Sequence, residues 1–400
     1  MSQTGFHSID DVDVDGKRVL VRVDMNVPMR DGVITDTNRI DRVLPSIRSL
    51  AAQGAKVIIL SHFDRPKGKR VPEMSLRPVA EKMDELLQSA DVRFVDDCIG
   101  PDVEAAVNEL KNGEVIFLEN LRFHPGEEAN DPDFTKAIAA LGDVYVNDAF
   151  SSSHRAHASI EAITKLLPSY AGYLVAAEID ALSRALEVPK RPVAAVVGGA
   201  KVSTKIPVLT NLVKKFDCVI IGGGMANTFL HAQGVDVGKS LCEKDFADTA
   251  RDIMGRAEKC GCEIMLPRDA VVAKDFAAGV PSEVCSLDAI PADGMILDVG
   301  PESVLALSAK LMTLRTLLWN GPLGAFEIEP FGEGTFALAR KAAQLTKEGK
   351  LVTIAGGGDT VSALNSAGVG KDFTYVSTAG GAFLEWLEGK ELPGVAALRQ

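Results

Sequence analysis

The feature that most constrains the fold is a repeated alternation of short apolar runs with helical stretches. Each run is rich in β-branched residues and ends in polar residues or glycines, after which a stretch of helical periodicity begins. Alternation of this kind predicts parallel strands whose two faces are covered by helices. The runs lie at 18–27, 55–63, 114–123 and 143–150 in the first half of the chain, and at 193–201, 218–225, 295–301, 316–322, 351–359 and 373–381 in the second.

The number of these runs predicts two domains. Ten strands exceed what one sheet comfortably holds, and 400 residues can supply two domains with a core each. We therefore predict an α/β protein with two doubly wound parallel sheets in tandem. Residues 171–192 are the expected seam, because they form an amphipathic helical pattern that ends in a proline-flanked basic turn.

Charge and composition exclude several classes of protein. A formal net charge of −12 gives no general attraction to nucleic acid or to an anionic membrane. The N-terminus is too polar for a signal peptide, and no apolar run reaches membrane-spanning length, so we expect a cytoplasmic protein. In that compartment the six cysteines are expected to be free thiols. Cys260 and Cys262 have no second pair nearby that would favour zinc over plain thiols.

Cationic and polar side chains follow the predicted strands of the first half. Ligands of open parallel sheets bind beyond the carboxyl ends of the strands. Four arginines at one edge would repel each other by roughly 3 kcal/mol per pair at ~6 Å and an effective dielectric of ~20, so such a cluster favours an anion. Arginine also suits phosphate and carboxylate groups. The predicted anion-binding residues are Asp24, Asn26, Arg39, His62, Arg65, Arg122 and Arg155.

The stretch 147–159, NDAFSSSHRAHAS, permits three interpretations. A serine beside a histidine is the pairing of a hydrolase, but no G-x-S-x-G nucleophile elbow is present. We favour a turn of small serines that lets His154 and Arg155 face an anion. A purely structural turn remains the alternative.

The second half ends its strands in glycines and lysines, which favours nucleotide phosphates. In VVGGAKVSTK, Lys201 and Lys205 would share a helix face if a helix begins there. The glycine turn of AGGGDTVSALN leads into a helix start, where backbone N–H groups and the helix dipole suit phosphate. Asp359 in that turn is the predicted Mg²⁺ ligand. Glu327 is placed to accept hydrogen bonds from ribose hydroxyls, with Asn320 on the same segment.

Three motif matches are incomplete and lead to other classes of protein. Residues 234–240 resemble a P-loop, but only three residues separate the glycines where four are needed. Residues 11–16 begin like a calcium loop, yet Arg22 stands where the bidentate glutamate belongs. In GGGMAN, Asn227 replaces the last glycine of the dinucleotide fingerprint, which disfavours a dehydrogenase. A non-catalytic two-lobed anion-binding protein is a further alternative.

Nine motifs together resemble the phosphoglycerate kinase family from end to end. They are RVDMNVP, SHFDRP, LENLRFHPGEE, VNDAF…HRAHAS, GGAKVSTK, GGGMANTFL, WNGPLGAFE, AGGGDT and GGAFLEWLEGKELPGV. The resemblance implies two Rossmann-like domains joined by a helical hinge: an N-terminal domain at 1–170, the hinge at 171–192, and a C-terminal domain at 193–385. Residues 386–400 would pack back on the N-terminal domain.

The resemblance also implies an activity and a role for each residue. The activity is Mg²⁺-dependent, reversible phosphoryl transfer between 1,3-bisphosphoglycerate and ADP, giving 3-phosphoglycerate and ATP, in a monomer that closes about its hinge. The seven anion-binding residues above would hold the phosphoglycerate. The catalytic residues would be Arg39, Lys201, Gly358 and Gly381. Nucleotide would be bound by Lys201, Lys205, Gly223, Gly224, Asn320, Glu327, Gly357, Gly358, Asp359 and Thr360, and the metal by Asp359.

The chain departs from the family pattern at three places. Asp64 stands where glycine is usual, Ser151–Ser153 replace a Gly-Thr-Ala sequence, and Ala379 replaces a glycine. We expect these departures to affect the fine positioning of the ligands rather than the reaction. The chemistry itself needs no general base, since the acceptor carboxylate, with a pKa of roughly 3.5, is already ionised at pH 7. Positioning and charge neutralisation then remain as the sources of catalysis.

Overall fold

The computed structural model describes residues 5–377 and 379–399. The chain divides into two compact units. The first comprises Met1–Asp180 with Glu391–Gln400, and the second comprises Ala181–Lys390. Each unit contains a six-stranded parallel sheet, which confirms the predicted α/β class.

The first unit is a parallel sheet covered by helices on both faces, with strand order β5-β6-β4-β1-β7-β8. A two-stranded β2-β3 ribbon extends from the loop after β1. The strands of the first unit are β1 (Arg18–Val23), β2 (Met29–Arg30), β3 (Val33–Ile34), β4 (Lys56–Leu60), β5 (Val92–Val95), β6 (Val115–Leu118), β7 (Val144–Asp148) and β8 (Ser169–Ala171). Its helices are α1 (Asn38–Ala52), α2 (Arg77–Leu87), α3 (Pro101–Asn108), α4 (Pro125–Glu128), α5 (Pro132–Ala139) and the start of α6 (Tyr173–Leu186).

Alternation along the strands divides the core of this unit between the two faces of the sheet. Successive side chains of a strand point to opposite faces. Val19 and Val21 of β1 accordingly lie in a cluster with residues of α1 and α2, whereas Leu20 lies in another with residues of α3 and α5. The near-continuous apolar runs of the sequence are the consequence of this two-sided burial.

The second unit has the strand order β11-β10-β9-β15-β16-β17, again all parallel. Trp319 is 1% exposed within the core and donates its indole N–H to the Gly321 carbonyl. The strands are β9 (Val193–Val197), β10 (Cys218–Ile221), β11 (Glu263–Met265), β12 (Asp269–Ala273), β13 (Ser282–Ser286), β14 (Met295–Val299), β15 (Thr316–Asn320), β16 (Val352–Ala355) and β17 (Tyr375–Val376). The helices are α7 (Ile206–Lys215), α8 (Gly224–Ala232), α9 (Ala247–Cys260), α10 (Pro301–Leu311), α11 (Glu333–Lys347), α12 (Gly358–Ser366) and α13 (Gly380–Leu387).

One predicted parallel strand belongs to a different sheet. The run 295–301 forms β14, which pairs antiparallel with β12 in a three-stranded β13-β12-β14 sheet. The prediction of a parallel strand there was wrong, because an apolar run shows that a strand is buried but not which partner it takes. Strand β13 was missed since only one of its five residues, Cys285, is buried.

The structure places both the segment predicted to join the two domains and the C-terminal helix. The segment 171–192 contains α6, which begins in the first unit and continues into the second. The last helix, α14 (Pro393–Ala396), belongs to the first unit, where the Gly394 N–H donates to the Ser153 carbonyl and its own carbonyl accepts from Asn147. Within the described residues, no helix combines the length and the hydropathy needed to span a membrane.

Candidate active site

The first unit brings most of the predicted anion-binding residues to one edge of its sheet. Asp24 follows β1, His62 follows β4, Arg122 lies in a 3₁₀ turn after β6, and Arg155 follows the turn after β7. Since β6, β4, β1 and β7 are neighbours in that order, their carboxyl ends are adjacent. We call this group, with Arg39, the cationic cluster.

Arg39 reaches the cluster from a helix, which corrects the prediction that all four arginines follow strand ends. It lies in the first turn of α1, and its guanidinium donates to Asp24 Oδ2 in an ion pair. A helix that begins in the loop after a strand end can direct a long side chain back to that end. The chemical expectation for Arg39 is unchanged by the correction.

Asp24 is the buried acidic group of the cluster. Burial raises the pKa of its carboxyl, but the charge of Arg39 and the hydrogen bonds from the Ser151 hydroxyl and the Asn26 N–H lower it further than burial raises it. The net pKa lies below the usual Asp range, so Asp24 is ionised at neutral pH. It holds Arg39 in place through that charge.

His62 is held as a neutral ring by a residue that the sequence analysis missed. Arg22 is 0% exposed and one of its terminal N–H groups points at His62 Nδ1 across 3.1 Å. Arginine can only donate, so Nδ1 must accept and Nε2 must carry the proton. Burial and the Arg22 charge both lower the pKa of His62 well below its ordinary value. Its Nε2 lies 3.9 Å from Asp24 Oδ1.

Arg22 is itself anchored by a buried acid. Its Nε donates to the Ser159 hydroxyl at 2.8 Å, and Glu127 accepts from the same hydroxyl at 2.6 Å. The Glu127 carboxylate lies 3.9 Å from the Arg22 guanidinium. An arginine inside the apolar strand β1 was the available sequence signal for this network, since an unpaired buried charge is too costly to occur.

Arg122 shows how crowded with positive charge the cluster is. Burial and the neighbouring charges of Arg22 and Arg155 lower the pKa of Arg122 to about 10, against the opposing charge of Glu128. One of its N–H groups donates to the Asp64 carbonyl at 2.8 Å. A guanidinium desolvated among like charges is stabilised by any anion that enters the cluster.

Two of the predicted residues lie at the margin. Asn26 is exposed and its side-chain oxygen accepts from the Asp64 N–H at 3.0 Å, which ties the loops after β1 and β4 together. Arg65 is exposed on the loop after β4. Asp64 itself has φ +50°, a left-handed conformation that favours glycine. This backbone geometry accounts for the glycine usual at that position.

The serines of the 147–159 stretch do not act as a hydrolase pair. The Ser151 hydroxyl donates to Asp24, and the Ser153 hydroxyl donates to the Ala149 carbonyl at 3.1 Å. Arg155 donates from Nε to His154 Nε2 at 3.3 Å, so these two neighbours contact each other. Ser151 was predicted as a spacer, whereas it is a direct hydrogen-bonding partner of the cluster.

The second unit contains a cavity of about 580 Å³ at the glycine-rich strand ends. Its lining is mostly apolar and includes a few polar groups, which suits a flat base with a charged tail. The cavity is lined by Gly223, Gly224, Glu327 and Asp359. Gly223 is the N-cap of α8 and has φ +69°. The apolar lining includes Leu241, Phe276, Met295, Leu297 and Leu323.

Lys205 and Asn320 form a hydrogen-bonded group beside the start of α12. The Lys205 ammonium donates to Asn320 Oδ1 at 2.5 Å, and the Asn320 amide donates to the Gly356 carbonyl at 2.8 Å. Burial lowers the pKa of Lys205, while the charges of Asp359 and Glu388 oppose that shift. The group therefore places a cation next to the glycine turn.

The helix start at Gly357 and Gly358 has the geometry of a phosphate site. Gly357 caps α12 with φ +101°, and a Cβ there would lie 2.8 Å from the Asn320 amide nitrogen. Gly358 and Asp359 are exposed in the first turn, whereas Thr360 is buried and accepts from the Gly321 N–H at 2.7 Å. Free N–H groups at the end of a helix bind phosphate well.

The positions of the remaining predicted residues differ in detail. Lys201 precedes a 3₁₀ turn at Val202–Thr204, and α7 begins only at Ile206, so Lys201 and Lys205 share no helix face. Gly381 lies exposed in the first turn of α13. Its cap Ala379 has φ −95°, which any residue adopts, so the departure from glycine there causes no backbone strain.

The polar part of the cavity lining also fits a magnesium ion. Asp359 is an exposed carboxylate at the cavity, beside the helix start expected to bind phosphate. Mg²⁺ is commonly held by one or two protein carboxylates together with phosphate oxygens and water. A single aspartate at this place satisfies that requirement.

The chain is similar to known proteins over nearly its whole length. The family model described as phosphoglycerate kinase matches residues 9–390. The phosphoglycerate kinases of Methylorubrum extorquens and Rhizobium meliloti are each 60% identical to the chain, over 397 and 396 residues, covering 99% of both sequences. The phosphoglycerate kinase structure from Coxiella burnetii aligns with a TM-score of 0.92 at 42% identity, and that from Pyrococcus horikoshii with 0.81 at 31%, each over 98% of both chains.

Proposed function

The chain belongs to the phosphoglycerate kinase family, and from that membership we propose how its two sites divide the reaction. The chain is a phosphotransferase that interconverts 1,3-bisphosphoglycerate and ADP with 3-phosphoglycerate and ATP. The cationic cluster of the first unit binds the phosphoglycerate, and the cavity and helix start of the second bind the nucleotide.

The crowding of positive charge around Arg122 is the observation that most supports this assignment. Burial and the charges of Arg22 and Arg155 depress the pKa of the Arg122 guanidinium despite its ion pair with Glu128, so a bound anion would stabilise it. A three-carbon acid with a phosphate carries two anionic ends. Arginine can bind both ends through paired N–H groups.

Within the cluster, each residue has a separate task. Asp24 fixes Arg39 through their ion pair, and the neutral His62 offers its Nε2–H as a donor. Asn26 keeps the two bordering loops together. Arg65, Arg122 and Arg155 supply charge for the phosphate. No group is needed to remove a proton, because the attacking carboxylate is already ionised.

In the nucleotide site the charges of the phosphates are met by lysines and backbone N–H groups. Lys205 lies beside the α12 start, and Glu327 at the cavity accepts hydrogen bonds from the ribose. Gly358 and Gly381 offer N–H groups to the phosphoryl in transfer, with Arg39 and Lys201 as the neutralising side chains. Mg²⁺ would be held by Asp359 with nucleotide oxygens, and it would neutralise phosphate charge.

The two ligands bind to different units, so transfer requires that they be brought together. We propose closure about the hinge segment that contains α6, which also excludes the water that would hydrolyse an acyl phosphate. Small-angle scattering tests this proposal. The radius of gyration should be smallest with both ligands bound, and equal radii in the binary and ternary complexes would argue against it.

A coupled assay for ATP tests the activity itself. Purified chain is given ADP, Mg²⁺ and 1,3-bisphosphoglycerate, and ATP formation is expected only when all three are present. If the chain instead oxidised added NADH while reducing 1,3-bisphosphoglycerate, and formed no ATP, it would be a dehydrogenase, and binding without turnover would indicate a carrier. A monomeric state and a cytoplasmic location stay predictions, for light scattering after size exclusion and for cell fractionation to test.

A further inference from the structure

A second group of chemically reactive side chains lies in the first unit, outside the proposed acceptor site. We propose that Asp97, Cys98 and His124 form a binding site for a borderline-soft divalent cation of the Zn²⁺ class. Each residue presents one ligand atom, and these atoms all lie within 4.8 Å of one another. Thiolate, imidazole and carboxylate are the side-chain groups that zinc takes in proteins.

The sheet topology brings the three residues together. Asp97 and Cys98 lie in the loop between β5 and α3, and His124 follows the 3₁₀ turn after β6. Strands β5 and β6 are parallel neighbours, so the segments that leave them run side by side. The Glu119 N–H, just beyond β6, donates to the Asp97 carbonyl at 3.3 Å and joins the two segments.

The histidine ring is already oriented toward the aspartate. It stacks on Phe134 with ring centroids 5.4 Å apart, and its Nε2 lies 2.7 Å from Asp97 Oδ1. Tetrahedral zinc with bonds of roughly 2.0–2.3 Å holds its donor atoms about 3.3–3.8 Å from each other. The distance from His124 Nε2 to the Asp97 carboxylate would have to lengthen, and the distances from these two groups to the Cys98 sulfur would have to shorten. Each change requires movements on the order of an ångström.

Exposure around the group suits three protein ligands and one open position. Cys98 is 0% exposed, whereas the side chains of His124 and Asp97 are 28% and 44% exposed. A cation can therefore enter from the solvent side and keep a water molecule as its fourth ligand. Three protein ligands with one exchangeable position is a common arrangement for bound zinc.

The surroundings of the sulfur are negative, which favours a dication. The Asp97 carboxylate belongs to the group itself, and the carboxylates of Glu127 and Glu119 are further negative charges that act on the Cys98 sulfur. Cation binding would replace the S–H bond by an S–metal bond and release the proton to solvent. These carboxylates attract a dication to the group.

Cobalt titration of the full chain tests this inference. Chelator-treated protein is titrated with Co²⁺, which gives a thiolate-to-metal charge-transfer band in the near ultraviolet when a cysteine binds it. One equivalent per chain is expected. Cys98→Ser should abolish the band. His124→Asn, at a partly exposed position, should weaken Co²⁺ affinity by at least the roughly 10-fold that losing even an outer partner of a ligand costs.

Cys260→Ser is the matched control, because Cys260 is an exposed thiol in the second unit. It should leave both the band and the affinity unchanged. Circular dichroism confirms that each variant is folded, and Zn²⁺ should raise the melting temperature of the parent chain but not of His124→Asn. The inference is overturned if no band forms, if the band survives in Cys98→Ser, or if it is lost in Cys260→Ser.

Discussion

Asp64 combines a backbone that favours glycine with a charge that opposes the expected ligand. Its φ is +50°, its N–H and carbonyl are both hydrogen-bonded, and its carboxylate adds negative charge beside the cationic cluster. Asp64→Gly keeps both backbone hydrogen bonds and removes that charge. We predict a lower KM for 3-phosphoglycerate in steady-state assays. The free energy of unfolding should change by no more than about 1 kcal/mol, because relief of strain and the greater chain entropy of glycine oppose each other.

Asp31→Gly is the matched control for that substitution. Asp31 has φ +52° and a side chain that is 94% exposed in the turn of the β2-β3 ribbon. The change in backbone strain should be alike in both variants, while the KM should fall only in Asp64→Gly. Equal KM values in all three proteins would show that the charge at residue 64 does not reach the ligand.

Arg39 is the cluster residue proposed to neutralise charge in the transition state. Arg39→Ala should lower kcat by about 10²–10³-fold, as loss of one preorganised donor does in other enzymes. Arg30→Ala removes an equal charge from the exposed β2-β3 ribbon and should leave kcat within about twofold. A raised KM with an unchanged kcat would make Arg39 a ground-state binding residue only.

The site residues that could be predicted from the sequence are those whose position is fixed by the strand they directly follow. Asp24, His62 and Arg122 follow strand ends, so their convergence could be expected from the parallel sheet. Arg39 was wrongly expected at a strand end, because the sequence did not show that α1 begins at Asn38 and includes Arg39 in its first turn. Arg22 and Ser151 were missed as contributors, since their partners, His62 and Asp24, are distant in sequence and meet them only in the folded sheet.

The start of α12 is the element on which the proposed nucleotide site most depends. Gly357 has φ +101°, and a Cβ would lie 2.8 Å from the Asn320 amide nitrogen. Gly357→Ala should lower the free energy of unfolding by about 1–3 kcal/mol and raise the KM for ATP, because the phosphate-binding turn must shift. Denaturant titration and steady-state kinetics measure the two effects.

Gly368→Ala is the control at the other end of the same helix. Gly368 follows α12 with φ +74°, and a Cβ there would have open space around it. This variant should lose stability through backbone strain alone and keep the KM for ATP. An unchanged KM in Gly357→Ala as well would separate the turn from nucleotide binding.

Asp298 links the end of β14 to the start of α11 and should give the unfolding free energy a pH dependence. Its carboxyl accepts from the Val299 and Gly334 N–H groups, and burial raises its pKa to about 7. A carboxyl whose folded pKa exceeds the ordinary value of 3.8 contributes most stability below that value. The contribution is lost as pH rises through about 7, because the unfolded chain ionises first.

Asp298→Asn isolates this contribution. The amide leaves one N–H without an acceptor, so the variant is less stable than the parent near pH 4. The difference in unfolding free energy between parent and variant should be largest near pH 4 and shrink by a few kcal/mol toward pH 8. Denaturant titrations across that range measure it. A difference that is constant or grows with pH would contradict the buried, protonated state of Asp298.

Elements were predictable to the degree that they are buried on both faces. The central strands β1, β4, β9 and β15 are long apolar runs and were found at the predicted places. The edge strands β5, β8 and β11 are short and partly exposed, which weakens their pattern. The antiparallel sheet was not foreseen, since the direction of β14 depends on its pairing with β12 and not on its own residues.

In the whole molecule, each of the two units is proposed to bind one ligand. The strand ends of the first unit carry arginines and a neutral histidine, and those of the second carry glycine turns, lysines and an apolar cavity. A chain whose two halves differ in this way can bind an anionic acceptor and a nucleotide independently. The contrast between the halves was visible in the sequence before any contact was known.

Calorimetric titration of two variants tests this division most directly. Arg122→Ala and Lys205→Ala are each titrated with 3-phosphoglycerate and with ADP. Loss of one charged hydrogen-bonding group should weaken the affinity for the ligand that this group binds by about 10–100-fold. The affinity for the other ligand should stay within about twofold. We predict that Arg122→Ala loses affinity for 3-phosphoglycerate alone and that Lys205→Ala loses affinity for ADP alone. Loss of both ligands in either variant, or unaltered 3-phosphoglycerate binding in Arg122→Ala, would contradict it.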